Sequence, residues 1–540
     1  MTAAQLLLVA APLAPLLLLL AACLLPATRR HLPGLLWLAP LPGLAAALLA
    51  AGAPPLVFDQ DGLRFTLALD TPAALLLGAC ALLWSAAGIY ARTYLDAGPG
   101  AVRFAFWWLV TQAGSLGVFV AGDLLFFYLA FAAVSLPAYG LIVHDGTPTA
   151  RRAAAVTLLL AVLGEVALLL GFVLLADAAP DGSIAIADAV ATLRGGKAPD
   201  LAIGLLVAGF GLKAGLLSVH VWLPLAHPAA PMPASAVLSG AIVKAGIIGL
   251  LRFLPPDGSE AGWGAALAVI GFATAFWGVG CGITQRNPKT VLAYSTVSQM
   301  GLVAAALGLG MAAGEPGAAL AIAFAALHHV LAKGALFLAV GVIAGLGGWR
   351  AMLLVLLPAL VLALGFGGAP LTGGALAKAA TKPLFGESLA ATLAALSAAG
   401  STLLMLHFAR RLTAGRGAGG VAPGLLLPWL GLAGAAVALP WVLYPRLGLG
   451  DPLAVPMAEA LWPVLLGAAL YAALRRWGAH LPAVPEGDLL HPAERVLRAT
   501  GGWGAGIARV EAALRVWPVA GMALLLLLLA VGATLTLGAR

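Results

Sequence analysis

What most restricts the fold of this chain is a succession of apolar runs of roughly 20 residues, each long enough to cross the hydrocarbon core of a bilayer as a helix. They fall near residues 4–25, 33–52, 71–92, 103–121, 124–143, 152–176, 201–222, 232–253, 262–283, 289–312, 317–346, 351–382, 388–412, 424–443, 456–475 and 517–538. In lipid every backbone N–H and C=O must be satisfied within the protein, and runs of this length do so as helices. Composition agrees: 62% of the 540 residues are hydrophobic, 9% are charged and the mean hydropathy is +1.04. The fold class is an all-α polytopic membrane protein with about 14–16 transmembrane helices. Met1 leads into the first run with no basic segment before it, which predicts a retained span rather than a cleaved leader.

The basic residues then orient the spans. Arg29/Arg30, Arg92/Arg103, Arg151/Arg152, Arg286/Lys289, Arg350, Arg410/Arg411/Arg416 and Arg475/Arg476 fall on alternate loops, which predicts that these loops are cytoplasmic and both termini are outside. This spread also explains the net charge of +8 without a phosphate-binding face, so nucleic acid is not an expected partner. Cys23, Cys80 and Cys281 stand alone in apolar runs, which supports neither a zinc nor an iron–sulfur site. Residues 56–69 alternate around an Asp-Gly pair and predict a small extracytoplasmic hairpin or an irregular loop. The expected organisation is three helices and that loop over 1–102, five-helix groups over 103–253 and 262–412, further helices over 413–475, a cytoplasmic amphipathic segment over 476–516 and a final helix over 517–540. An odd number of spans inverts the second group relative to the first, as in transporters with inverted repeats.

Charge inside the spans points to function. Only seven of the 29 basic residues are lysines, yet Lys213, Lys244, Lys333 and Lys378 all lie within apolar runs. A charge at that depth costs roughly 2.5–3.5 kcal/mol on insertion scales, so such positions read as functional. An ammonium, unlike a guanidinium, can give up its proton when buried. Lys213 and His220, seven apart, are expected on one helical face, and His329 and Lys333, four apart, are expected to stack. Glu165 is the one carboxylate well inside a span and is expected to pair with Lys213 or Lys244. Ser235 and Ser239 could extend a hydrogen-bonded wire, while His227, His328, Lys382 and His407 are secondary candidates. For each the plain alternative is snorkelling or a helix-packing contact. Gly211 and Gly215 flank Lys213, and residues 365–374 (GFGGAPLTGG) precede Lys378, so both lysines are expected beside broken helices.

Four ordered strings carry a family resemblance. Residues 213–252 (KAGLLSVHVWLPLAHPAAPMPASAVLSGAIVKAGIIGLLR), 287–302 (NPKTVLAYSTVSQMGL), 329–338 (HVLAKGALFL) and 368–378 (GAPLTGGALAK) closely resemble the antiporter-like subunits of respiratory complex I, of group 4 membrane hydrogenases and of Mrp antiporters. The WLPLAHPAAP version looks most like the formate-hydrogenlyase type. The resemblance implies two inverted five-helix repeats, with Lys213 and Lys244 in the first half-channel, His329 and Lys333 at the centre and Lys378 in the second. One position departs from it: FYLAFAAVS puts Ala132 where family members usually carry a glutamate.

The expected function is a proton-translocating membrane subunit of a complex I-like NADH:quinone oxidoreductase or membrane-bound hydrogenase, in a bacterial inner membrane. Expected partners are other membrane-arm and redox subunits, membrane lipid, and protons or Na+. The alternatives are an Mrp-type cation/proton antiporter subunit and a non-conducting scaffold, the latter motivated by Ala132. No cofactor is expected in this chain, because no dinucleotide fingerprint, metal-ligand cluster or nucleophile constellation is present, and any enzyme activity would belong to the assembly.

Overall fold

The first apolar run folds as α1 (Ala3–Leu24), started by a capping box in which the Thr2 hydroxyl accepts from Gln5 N and the Gln5 side chain accepts from Thr2 N. In this computed structural model residues 1–499 are described, apart from 61–62, 96–98, 195–198, 348, 416, 418 and 479–480. The chain divides into two units, Met1–Glu486 and Gly487–Arg540. The span expected at 517–538 and most of the amphipathic segment lie outside the described residues.

The second apolar run does not form the single span expected over 33–52. It is split into α2 (Pro26–Leu35) and α3 (Leu41–Leu49), with Pro40 as the N-cap of α3 and Pro42 in its first turn, where a missing N–H costs nothing. Strands β1 (Leu56–Gln60) and β2 (Leu63–Leu67) then pair antiparallel with Phe58 opposite Phe65, so of the two expectations for this stretch the hairpin is the one formed. Seven helices follow: α4 (Thr71–Tyr94), α5 (Pro99–Val120), α6 (Leu124–Ser135), α7 (Ala138–Ile142), α8 (Pro148–Ala178), α9 (Ile186–Ala191) and α10 (Pro199–Ala214). Beyond a break come α11 (Trp222–Ala229), α12 (Met232–Val237), a π turn over Leu238–Ile242 and α13 (Lys244–Phe253). The remainder of the first unit holds α14 (Ala261–Gly282), α15 (Pro288–Ala313), α16 (Ala318–Gly345), α17 (Trp349–Gly367), α18 (Gly373–Phe385), α19 (Leu389–Ala414), α20 (Pro423–Arg446) and α21 (Met457–Trp477). The second unit contains α22 (Leu490–Ala499).

Among the described residues, eleven helical stretches are long and apolar enough to cross a membrane; the spans expected over 33–52, 201–222 and 351–382 are broken into shorter pieces, and the one over 103–121 is the single helix α5. Burial ranks them. The apolar windows of α16 and of the stretch Met232–Phe253 are 94% buried inside the protein, whereas that of α21 is 11% buried, so the helices that carry Lys333 and Lys244 are central and α21 faces outward.

Two local devices fix this packing. Gly264, Gly271 and Gly278 recur every seventh residue on α14 and face α15, where a Cβ on Gly271 would sit 2.5 Å from Ala305 N and one on Gly278 would sit 2.7 Å from Ser298 N. Small residues at this spacing let two membrane helices meet backbone to backbone, which raises dispersion contact where no hydrophobic effect drives association. Polar side chains close helix ends. Arg252 donates to the carbonyls of Val118, Phe119 and Ala121 at the end of α5, and Asp123, N-cap of α6, accepts from Phe126 N and from Thr66 N on β2. Asp123 is fully buried within the protein, where it performs that capping.

Candidate functional site

Lys213 occupies the last turn of α10, and the helix stops one residue later. Gly215 adopts φ +83° and Ser218 φ +78°, left-handed values that turn the chain away before α11 begins. The freed backbone groups are met by side chains: Trp222 Nε1 donates to Leu212 O at 2.9 Å, and the Thr274 hydroxyl accepts from Leu217 N at 2.9 Å. Irregular backbone at membrane depth requires such partners. The break also separates Lys213 from His220, which therefore do not share the helical face expected from their spacing. His220 is buried, with its ring 6.5 Å from that of Tyr294.

Lys213 Nζ lies 5.6 Å from the Phe131 ring and 5.9 Å from the Trp222 ring, so aromatic faces partly offset its loss of hydration. Glu165 on α8 is 5% exposed and interacts electrostatically with Lys213, as one of the two expected pairings required. No hydrogen bond joins either carboxylate oxygen to Lys213 among the described residues. Lys213 and Glu165 are therefore neighbours without a direct hydrogen bond. Ala132, half-buried on α6, has no polar atom with which to join them.

At the centre, Lys244 is the first residue of α13, one residue beyond the π turn, a distortion that often marks functional positions. Its Nζ lies 2.9 Å from His329 Nδ1 on α16, and both side chains are buried. An ammonium there donates to the imidazole, and a neutral amine accepts from a protonated ring, so the proton can sit on either partner without movement of the heavy atoms. Lys333, one turn along α16 from His329, donates to Leu292 O at 3.0 Å and lies 4.9 Å from the Phe366 ring. Leu292 O also accepts from the Thr296 hydroxyl, which is 2.6 Å from Ser239 Oγ. Ser239 is thereby tied to Lys333 through one shared carbonyl.

The row continues through a second break. α17 ends at Gly367, Gly368 and Leu371 adopt φ +82° and +64°, and α18 restarts with the Thr372 hydroxyl accepting from Ala375 N. Lys378 lies on α18 after this break, as the glycine run predicted. A cavity of about 40 Å³ is lined by His328, His329, Phe366, Gln299, Thr381 and Lys378. One water needs roughly 10–15 Å³ and polar neighbours, and both conditions are met here. Lys378 also lines a larger cavity of about 300 Å³ with Lys382 and Glu459. Lys382 and Glu459 form an ion pair whose side chains are 63% and 55% exposed, so the row leads from a buried centre to a charged pair at the protein surface.

Residues 121–406, a little over half of the chain and the part that holds every member of this row, match the model of the family described as NADH:quinone oxidoreductase/Mrp antiporter, transmembrane. The chain belongs to that family. Among curated antiporter-family relatives, Hydrogenase-4 component B of Escherichia coli (strain K12) is 32% identical over 312 residues, which is 55% of this chain and 45% of that protein. NAD(P)H-quinone oxidoreductase chain 4 3 of Trichormus variabilis is 34% identical over 239 residues, or 43% of each. The chain thus spans less than half the length of these relatives. The Mrp complex from Dietzia sp. DQ12-45-1b shares the fold with a TM-score of 0.75 at 22% identity, over 100% of this chain and 63% of that one.

Other candidates in this antiporter-family chain fall beside the row. His227 stacks on Phe337 with centroids 4.6 Å apart, and Ser235 donates to His227 O and Ala230 O, so Ser235 caps α11 and does not extend the wire. His407 Nε2 lies 2.8 Å from Gln285 O. Lys289, expected as a loop charge that orients the chain, is buried, and its Nζ donates to Pro228 O and Ala230 O. It holds the end of the broken segment α11. The sequence offered no sign of this, because Lys289 and its acceptors are about sixty residues apart and meet only through the packing of α11 on α15.

Proposed function

We propose that this chain is a proton-translocating membrane subunit of a redox-driven assembly, of the complex I-like NADH:quinone oxidoreductase or membrane-bound hydrogenase type, in a bacterial inner membrane. The observation that carries the reading is the Lys244–His329 contact at 2.9 Å, continued by the polar cavity from His329 to Lys378. Protons pass along Lys213, Lys244, His329, Lys333 and Lys378, and electrons travel in other subunits. Glu165 takes the part that a carboxylate at Ala132 would otherwise play, by biasing where charge rests at Lys213. The Lys382–Glu459 pair is the mouth of the second half-channel on the face that the arginine pattern assigns to the outside.

A second reading, an Mrp-type cation/proton antiporter subunit, draws on the shared fold with the Mrp complex. Sodium is held by oxygen ligands, and the buried row here is built of amines and imidazoles, which suits protons better. Affinity purification of the tagged full chain from its native membranes separates the two. Co-purifying hydrogenase or quinone-reductase subunits are the expected outcome, and a set of small antiporter subunits without redox partners would replace the first reading with the second.

A further inference from the structure

A groove of about 860 Å³ opens where the end of α1, the start of α2 and the first turns of α5 meet. Its rim carries Arg29, Arg30 and Arg103, all exposed, and its wall includes Leu19, Phe106 and Trp107. Arg103 donates once to His144 O at 3.2 Å, which leaves it further N–H donors, and no described carboxylate forms an ion pair with Arg29 or Arg30. One membrane edge therefore concentrates three fixed positive charges directly above an apolar wall. A second groove of about 460 Å³ follows on the same two helices, lined by Leu13 and Leu16 of α1, Val110 of α5 and other apolar residues. Phe106, Leu16 and Leu13 are 41%, 39% and 42% exposed, so the apolar path is open along its length.

We propose that this seam binds one anionic phospholipid, with its phosphate among Arg29, Arg30 and Arg103 and an acyl chain laid along Leu19, Phe106 and Leu16. Charge complementarity selects the occupant. A guanidinium cluster at the edge of the apolar region matches a phosphodiester of the leaflet it faces, with paired N–H donors for the phosphate oxygens. Length agrees. From Arg103 to Gly117, which lines the second groove, α5 rises by about 21 Å at 1.5 Å per residue, more than the roughly 15 Å depth of one hydrocarbon leaflet. Trp107 stands beside the arginines at the level where indole rings prefer the membrane interface. The site lies on the opening helices, away from the lysine row, so it would fasten α1 and α2 to α5 through lipid.

Cys23 lines the groove and is exposed, whereas Cys80 and Cys281 are buried, so the native chain carries its own reporter. The purified full chain in detergent would be labelled with a maleimide while phosphatidylglycerol or phosphatidylcholine is added back, and bound lipid would be followed by native mass spectrometry. Phosphatidylglycerol is expected to slow labelling of Cys23 several-fold and to be retained, with little effect from phosphatidylcholine. Arg29→Ala/Arg30→Ala/Arg103→Ala should lose that protection, and Arg151→Ala/Arg152→Ala should keep it. Equal protection by both lipids, or protection that survives the triple substitution, would overturn the proposal. So would a partner chain, and no lipid, retained on this face. If the triple variant fails to fold, the comparison of the two lipids on the native chain decides alone.

Discussion

Lys244→Met is expected to stop proton uptake into inverted membrane vesicles while leaving the chain folded and at its normal level in the membrane. The side chain is fully buried, and methionine has a similar length, no branch and no charge. Replacing a buried charge by a matched apolar group is often neutral or stabilising, so a folding defect is not the expected cause of any loss. What disappears is the proton-bearing partner 2.9 Å from His329 Nδ1. Removing a positioned acid–base group typically costs about 10²–10⁴-fold, and a relay with no parallel branch should lie at the severe end. In the same assay Glu165→Gln is expected to slow uptake by a smaller factor without loss of assembly, because Glu165 acts on Lys213 through space and not through a hydrogen bond. Native rates in Lys244→Met membranes would contradict the assignment.

Gly271→Leu is expected to have the largest effect on stability. A Cβ at that position would lie 2.5 Å from Ala305 N and 2.6 Å from Gly301 O, and both are backbone atoms of α15 that cannot move aside as a side chain tip could. The α14–α15 seam must open, at a cost above the roughly 1–3 kcal/mol usual for an overpacked core. Gly280 on the same helix has nothing within 4 Å of its would-be Cβ. Gly280→Leu should therefore be tolerated, helped by leucine's better helix propensity of up to about 1 kcal/mol. Melting of the two variants in detergent, followed by size-exclusion chromatography, gives the comparison. Equal melting temperatures would show that the seam does not depend on its glycines.

Much of this site was legible in the sequence for physical reasons that can be named. Lysines at 213, 244, 333 and 378 stand out because charge within an apolar run is costly, and the glycine-rich run over 365–374 marks a break that the backbone confirms at Gly368 and Leu371. Where local periodicity was extended across a break it failed. Lys213 and His220 have helical spacing, yet the left-handed turn at Gly215 and Ser218 puts them on different elements. The pairing that matters most, Lys244 with His329, spans 85 residues of sequence and depends on how α12 and the π turn ahead of Lys244 pack on α16, which no single stretch encodes. The same holds for Lys382 with Glu459, 77 residues apart, and for Arg252 with the end of α5. Residue chemistry was readable along the chain, and the partners were supplied by packing.

The central claim is that Lys244 and His329 act as one proton relay. Its most direct test is a double-mutant cycle on proton uptake, with Lys244→Met, His329→Gln and the two combined, each at matched levels of assembled protein. A relay predicts that the combined variant is no slower than the worse single variant, because the first substitution already breaks the route. Losses that multiply, or uptake at the native rate in either single variant, would show that the two side chains do not share a proton.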